Sequence, residues 1–174
     1  MRALDIANIF IIRHGNDINI TNLSLNKLVY FAQVESLRSL GRPLFSDSVE
    51  AWDYGPVEPS VYHAFKHNGR SVIHEPSAAG DCVQDASSEA VTIVDEVAEK
   101  YGSLTAFDLV EISHRRGGAW RNKYARGRNT EITIGDIVDS ADFASEPDLK
   151  RTFFAGVVAA EKKWPNTLRM LGDA

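Results

Sequence analysis

The histidines are the residues of this chain best suited to metal or acid–base chemistry. Five are present among 174 residues, at positions 14, 63, 67, 74 and 114. His63 and His67 are four positions apart, which places both side chains on one face of a helix and is a spacing that can bind a metal ion. Because no third ligand is identifiable nearby, we interpret the pair as part of a solvated helix face and predict no metal site.

A second candidate for chemistry is His114, which follows a predicted helix and precedes Arg115 and Arg116. A general base needs a nucleophile and an orienting carboxylate, and the sequence identifies neither. A structural histidine whose ring nitrogens bond the backbone at the helix end is therefore favoured over catalysis. The sequence also lacks the phosphate-loop, HExxH and GxSxG motifs, and its single cysteine excludes a cysteine-rich zinc site. We predict a protein that is not an enzyme and uses no cofactor.

Residues 112–130, called here the basic segment, contain no acidic residue. Their six basic residues are Arg115, Arg116, Arg121, Lys123, Arg126 and Arg128. Trp120 and Tyr124 lie among them, and without these six charges the net charge of −5 would be −11. Such a segment can stack on bases and contact phosphate, can face an acidic protein partner, or can form a solvated loop. The acidic balance of the whole chain argues mildly against a dedicated nucleic-acid binder.

Large aromatic residues are concentrated in the segment 49–66, where a Gly-Pro pair predicts a turn and a further proline suits the first turn of a helix. Trp and Tyr are favoured at binding hot spots, so Trp52, Tyr54 and Tyr62 could face a partner. The alternative is packing in or beside the core, which we favour for Trp52. Tyr54 and Tyr62 are retained as candidate partner contacts.

The elements that must position these residues are mostly helices. Thr21 is placed to cap a helix that is apolar on most faces, as expected of a central helix, and Gly41 ends it. Thr105 and Asp108 form a capping box, which predicts a helix that continues to His114. We expect the core to include Leu28, Ala32 and Leu109.

Two short strands are predicted beside these helices. The β-branched and aromatic content of Val49–Trp52 indicates one, and the alternation of Ile132 and Ile134 indicates an edge strand. Together the elements predict a mostly helical α+β fold with a small antiparallel sheet, in one domain over residues 1–174 with a C-terminal helix over 146–164. No apolar run approaches the ~20 residues of a membrane span, and the N-terminus is unlike a signal peptide. We therefore expect a cytoplasmic protein without a membrane partner.

Three segments carry a set of motifs in order, and they read LSLNKLVYFAQ, then PLFSDSVEAWDYGPVEPSVYHAFK, then YGSLTAFDLVEISHRRGGAW. This order resembles the Panacea antitoxin domain, a SocA-like family also called the phage-associated protein family. The resemblance covers roughly residues 3–140. The family's motifs map onto three sets of residues: Leu25, Lys27, Leu28, Tyr30, Phe31 and Ala32; Ala51, Trp52, Gly55, Pro56 and Val57; and Ser113, His114 and Trp120. The chain departs from the family pattern at Arg116 and Ala119, where relatives often carry an acid and a proline.

The resemblance implies an antitoxin that neutralises a co-encoded toxin by direct protein contact. It also implies that the toxins are diverse, and at least one relative resembles a proteolytic adaptor that hands its toxin to a protease. The candidate partner-binding residues are Tyr54, Tyr62, Arg115, Arg116, Trp120, Arg121, Tyr124 and Arg126. Those expected to be structural are Lys27, Tyr30, Trp52, Gly55, Pro56 and His114. The alternative function is a nucleic-acid-binding regulator of the same system that uses the basic segment.

Overall fold

The computed structural model describes residues 1–80 and 86–149. Within those ranges, the fold is mostly helical with a small three-stranded sheet. The elements in chain order are α1 (Ala3–His14), α2 (Asn22–Leu40), β1 (Val49–Trp52), β2 (Gly55–Val57), α3 (Pro59–Phe65), a 3-10 turn (Lys66–Asn68), α4 (Ser88–Tyr101), α5 (Ala106–Ser113), α6 (Ala119–Lys123), β3 (Thr130–Ile132), α7 (Ile134–Val138) and α8 (Ala141–Ala144).

The central helix of the fold is α2. At its start the Thr21 hydroxyl accepts the backbone N–H of Ser24 at 3.3 Å, and at its end Gly41 adopts a left-handed conformation with φ of 67°. The helix packs against α1, α3, α4, α5, α8 and β2, which explains why apolar side chains lie on most of its faces. The predicted central helix is confirmed, and Leu28 and Ala32 are buried as expected.

The sheet is antiparallel, with β1 in the middle and β2 and β3 on its two edges. Glu50 of β1 pairs with Val57 on one side and with Glu131 on the other. The strand predicted at residues 49–52 and the mostly helical α+β class are therefore confirmed. The prediction that Ile134 extends the edge strand is wrong, because Thr133 caps α7 and the chain turns into that helix.

The hairpin between β1 and β2 turns at Asp53 and Tyr54, two positions before the Gly-Pro pair. Gly55 and Pro56 belong to β2 itself, so the prediction of a turn at that pair is wrong in position. Gly55 has φ of 105°, a conformation that disfavours a side chain. Pro56 has no N–H to donate, and it is tolerated because β2 is an edge strand.

The predicted capping box opens α5. The backbone N–H of Thr105 donates to Asp108 Oδ2 at 2.9 Å, and the N–H of Asp108 donates to Thr105 Oγ1 at 3.1 Å. Leu109 is buried on the inner face of this helix, as expected. The basic segment begins in the last residues of α5, ends at the first residue of β3 and is irregular between them apart from α6.

Two further sequence predictions concern the C-terminal helix and the absence of a membrane-spanning segment. The helix predicted over 146–164 lies almost entirely outside the described residues. Within the ranges 1–80 and 86–149, no helix has both the length and the apolar content needed to cross a membrane.

Candidate partner-binding site

The buried centre of the motif residues is Lys27, whose side chain has no solvent exposure. Its Nζ donates a hydrogen bond of 2.9 Å to the backbone carbonyl of Pro56, which ties α2 to β2. Burial lowers the pKa of Lys27 to about 7, because desolvation disfavours the ammonium form. A Cβ added to Gly55 would lie 2.6 Å from Lys27 Cε and 2.7 Å from Ser113 Oγ, so only glycine fits beside this lysine.

Asp142, which the sequence did not single out, connects three distant parts of the chain. Its Oδ2 accepts the Tyr30 hydroxyl at 2.7 Å and the backbone N–H of Ala119 at 2.9 Å. Its Oδ1 lies 3.7 Å from Nε of Arg115. Burial, followed by the charge of Asp142, raises the pKa of Tyr30 well above its usual value. The carboxylate therefore joins α2 to the start of α6 through α8.

Trp120 is a core residue, with 2% of its surface exposed. Its indole N–H donates to the backbone carbonyl of Trp52 at 2.8 Å. The indole ring stacks on His114 at 3.5 Å between centroids and on Tyr124 at 4.6 Å. The expectation that Trp120 contacts a partner is not supported by this position, because its ring faces are covered by the two neighbouring rings.

His114 is held by this stacking and not by the backbone hydrogen bonds that the sequence suggested. Its Nε2 is buried and has no hydrogen-bond partner among the described residues. Desolvation lowers the pKa of His114 to about 4, and the positive charges of Lys27 and Arg121 add to that effect. The imidazole is therefore neutral at neutral pH.

The aromatic corner, which we define as Trp52, Tyr54 and Tyr62, projects from the β1–β2 hairpin and from α3. Tyr54 is 65% exposed. Trp52 and Tyr62 are half-buried and meet edge to face, with ring centroids 4.8 Å apart. Trp52 therefore lies at the boundary of the core, where its indole N–H donates to Glu50 at 2.7 Å.

The basic segment divides into internal and exposed residues. Arg115 is internal, because its guanidinium donates to the carbonyl of Ala141 at 2.8 Å and to the Ser145 hydroxyl at 2.7 Å. Lys123 pairs with Asp136 at 3.2 Å. Four arginines are exposed and form no ion pair with any residue in the described ranges: Arg116, Arg121, Arg126 and Arg128. Arg115 therefore helps to build the site, whereas these four face solvent.

A groove of about 400 Å³ lies beside the aromatic corner. One wall is the first turn of α2, and another is the tip of the β1–β2 hairpin together with Tyr62 of α3. Gly127 and Asn129, from the end of the basic segment, close the groove. Tyr124 holds the hairpin tip in place, since its hydroxyl donates to Asp53 Oδ1 at 2.7 Å.

The histidine pair does not share a regular helix, because α3 ends at Phe65 and His67 lies in the following 3-10 turn. Both His63 and His67 are exposed, as a solvated face requires. Across residues 1–80 and 86–149, no group of three or more histidine, cysteine, aspartate or glutamate residues is arranged to hold a metal ion.

The fold and the site together define a class of protein: a mostly helical α+β domain in which a buried lysine, an aspartate and stacked aromatic rings support a partly exposed aromatic corner. The family described as "Antitoxin SocA-like, Panacea domain" matches residues 25–121. The chain belongs to this family. It is 35% identical over 127 residues to "Antitoxin SocA" of Caulobacter vibrioides (strain NA1000 / CB15N), across 68% of this chain and 67% of that protein. No solved structure matches the chain.

Proposed function

We propose that this protein is an antitoxin that neutralises a co-encoded toxin by direct contact, through the aromatic corner and the exposed arginines of the basic segment. Its similarity to an antitoxin of the same family supports the role. The observation that carries the contact mechanism is the exposure of Tyr54 on a support that is held by the internal hydrogen bonds of Lys27, Tyr30 and Trp120. A fixed, exposed aromatic side chain is well suited to a binding hot spot.

Binding fits the motif residues better than catalysis does. Lys27 and Tyr30 are 0% and 1% exposed, and both side chains already bond inside the protein. The His114 ring is covered by Trp120, and its Nε2 is buried. A general acid or base must reach a substrate within hydrogen-bond distance, and these three groups are turned inward. They act as the support of the surface.

The exposed arginines suit a toxin surface with acidic residues. Arg116, Arg121 and Arg126 lie on one continuous segment of an otherwise acidic chain, and complementary charge accelerates encounter between proteins. Arg115 and Trp120 are omitted from the proposed contact surface because both are engaged inside the fold. Tyr124 is half-buried, and its hydroxyl is held by Asp53. The exposed part of its ring completes the proposed contact surface.

The test is co-expression with the toxin encoded by the neighbouring gene. The wild-type protein should restore growth and should co-purify with that toxin, and a failure to do either would refute the proposal. The double variant Tyr54→Ala, Arg121→Glu should lose both properties while remaining folded, because both residues are exposed. The matched control is Arg42→Glu, an exposed charge reversal beyond the opposite end of α2, roughly 27 Å along the helix axis from the groove. It also breaks the ion pair of Arg42 with Glu89, which lies at the surface and therefore contributes little to stability.

The same experiment separates a blocking antitoxin from a proteolytic adaptor. A protein that blocks its toxin by contact should leave the toxin's half-life in the cell unchanged or longer. An adaptor should shorten that half-life in a protease-dependent way. We expect the first result.

A second candidate function is regulation by binding nucleic acid, which the exposed arginines around Tyr124 favour. Its probe is the duplex DNA upstream of the protein's own gene. If this function is correct, the double reversal Arg121→Glu, Arg126→Glu should abolish binding to that DNA and should leave toxin neutralisation intact. Loss of neutralisation with no effect on DNA binding supports the first proposal.

A further inference from the structure

We propose that the groove beside the aromatic corner takes one bulky apolar side chain of a partner protein, from a segment in which acidic residues flank that side chain. The inference rests on the proposed function, because the toxin is the partner expected to carry this segment. It goes further by assigning the position and the chemistry of the contact.

The surface of the groove suits an apolar side chain. Five of its lining residues are apolar or aromatic: Leu23, Trp52, Tyr54, Val57 and Tyr62. Its volume of about 400 Å³ lies at the lower end of the range for ligand pockets and is sufficient for a large side chain with its adjoining backbone. The opening is therefore suited to a single anchoring residue.

Two of the polar lining residues, Asn22 and Asn26, are already engaged inside the protein, which leaves fewer groups to recognise a nucleobase or another ligand by hydrogen bonds. The Asn26 amide donates to the carbonyl of Asn22 at 2.9 Å and accepts the N–H of Glu58 at 3.2 Å. The Asn22 amide donates to the carbonyl of Tyr62 at 3.3 Å. These groups fix the walls, and a ligand recognised through base edges would have to break those bonds.

Positive charges at the rim of the groove favour acidic residues on either side of the partner's apolar side chain. Gly69 and Gly127 line the groove, and their chain neighbours Arg70, Arg126 and Arg128 are all exposed. Asp53 is also exposed and charged. Among the described residues that line the groove and their neighbours in sequence, no other charged residue is exposed. Half-buried Glu50 bonds the Trp52 indole and adds a second negative charge, so three positive charges stand against two negative ones, and this excess favours an acidic segment over a basic one.

The groove is also preformed, which reduces the entropy lost on binding. The backbone carbonyl of Trp52 is bonded to the indole of Trp120, and the Asp53 side chain is bonded to Tyr124. The aromatic walls meet edge to face between Trp52 and Tyr62. A partner side chain therefore enters a site whose walls are already positioned.

The test uses a defined probe, a short synthetic peptide with one phenylalanine between two pairs of aspartates, titrated into the isotope-labelled full chain and followed by NMR. Shifts should be confined to the amides that line the groove and to the Trp52 indole. Two control peptides carry alanine in place of phenylalanine or lysines in place of aspartates. Both control peptides should bind more weakly, with a dissociation constant at least about tenfold larger than that of the phenylalanine peptide.

Variants of the protein locate the contact. Asn129→Trp places a large ring in the mouth of the groove at an exposed position, and it should abolish the shifts without unfolding the protein. The double reversal Arg126→Glu, Arg128→Glu should weaken peptide binding by roughly tenfold at low salt. Arg42→Glu makes the same kind of charge change far from the groove and should leave binding unchanged.

Three results would overturn the inference. The first is the absence of shifts at roughly 1 mM peptide, the weakest affinity expected of a single anchored side chain. The second is equal binding of the alanine peptide, which would mean that charge alone is recognised. The third is self-association of the protein that Asn129→Trp abolishes, which would identify a second copy as the occupant. Neutralisation of the whole toxin does not depend on the peptide, so its failure would be seen separately in the growth assay.

Discussion

The indole N–H of Trp120 donates a 2.8 Å hydrogen bond to the backbone carbonyl of Trp52, across 68 positions of the chain. Through this bond the last motif in the sequence holds the end of β1 next to the turn of the β1–β2 hairpin, which carries the exposed Tyr54. The aromatic corner is thus held by a residue that is itself buried.

Replacing Trp120 with phenylalanine should destabilise the protein by about 2–4 kcal/mol, because the carbonyl of Trp52 loses its donor and the smaller ring leaves a cavity. The measurement is chemical denaturation, followed by circular dichroism so that the lost tryptophan does not affect the signal. Phe107→Ala is the control: Phe107 is 73% exposed, so its truncation should change stability by less than about 0.5 kcal/mol. Equal stabilities for the two variants would show that Trp120 does not support the fold.

Lys27 should make the stability of the protein rise with pH above neutrality. Its folded-state pKa is about 7, against an ordinary value of 10.5, so between these two pH values the unfolded chain binds one more proton than the folded chain. Stability should therefore increase by up to about 1.4 kcal/mol per pH unit in this window from this group alone. Below pH 7 both states are protonated, and this contribution to the slope disappears.

The comparison is between the wild type and Lys27→Met, unfolded by urea at several pH values between 7 and 10. The methionine variant should lack the part of the slope that the lysine contributes, whatever its absolute stability. Lys66→Met alters an exposed lysine and should keep the wild-type slope. Parallel slopes for wild type and Lys27→Met would contradict the depressed pKa.

A third prediction concerns the close approach of β2 to the lysine. Gly55→Ala should destabilise the protein by about 2–5 kcal/mol, because φ of 105° strains alanine and the new Cβ overlaps Lys27 and Ser113. Lys27 cannot move aside easily, since it is fully buried and bonded. The matched control is Gly41→Ala, which also has positive φ but meets no atom within 4 Å. It should cost only about 1–2 kcal/mol, and thermal melts that rank the two variants in reverse would contradict this reasoning.

Local sequence signals predicted much of this arrangement. The capping residues Thr21 and Thr105 and the strand at 49–52 lie where the sequence placed them, because each depends on side chains within a few positions. The resemblance to the family also predicted structural roles for Lys27 and Gly55. Their interaction could not be derived from sequence alone, since it joins residues on different elements.

The remaining features depend on distant contacts that leave no local pattern. Asp142 bonds Tyr30 from 112 positions away, and only the capping residue Ser140 hints at the short helix that carries it. Trp120 and Arg115 lie among basic residues, as exposed loop residues do, yet both are engaged inside the fold. Sequence composition cannot separate them from Arg121, because burial is decided by the partners that the fold brings to each side chain.

The last prediction tests the exposed arginines as a surface that steers association. If Arg121 and Arg126 face an acidic surface of the toxin, reversing both to glutamate should slow association by roughly an order of magnitude at low ionic strength. Dissociation should change less, because rim charges act mainly on encounter. The measurement is association kinetics with the purified toxin at roughly 0.1 M and 1 M salt, where the Debye length is about 10 Å and 3 Å. The wild-type rate should fall with salt, the variant's rate should fall less or rise, and Arg42→Glu should follow the wild type. Identical rates for wild type and double variant at both salt concentrations would mean that these arginines do not steer the toxin.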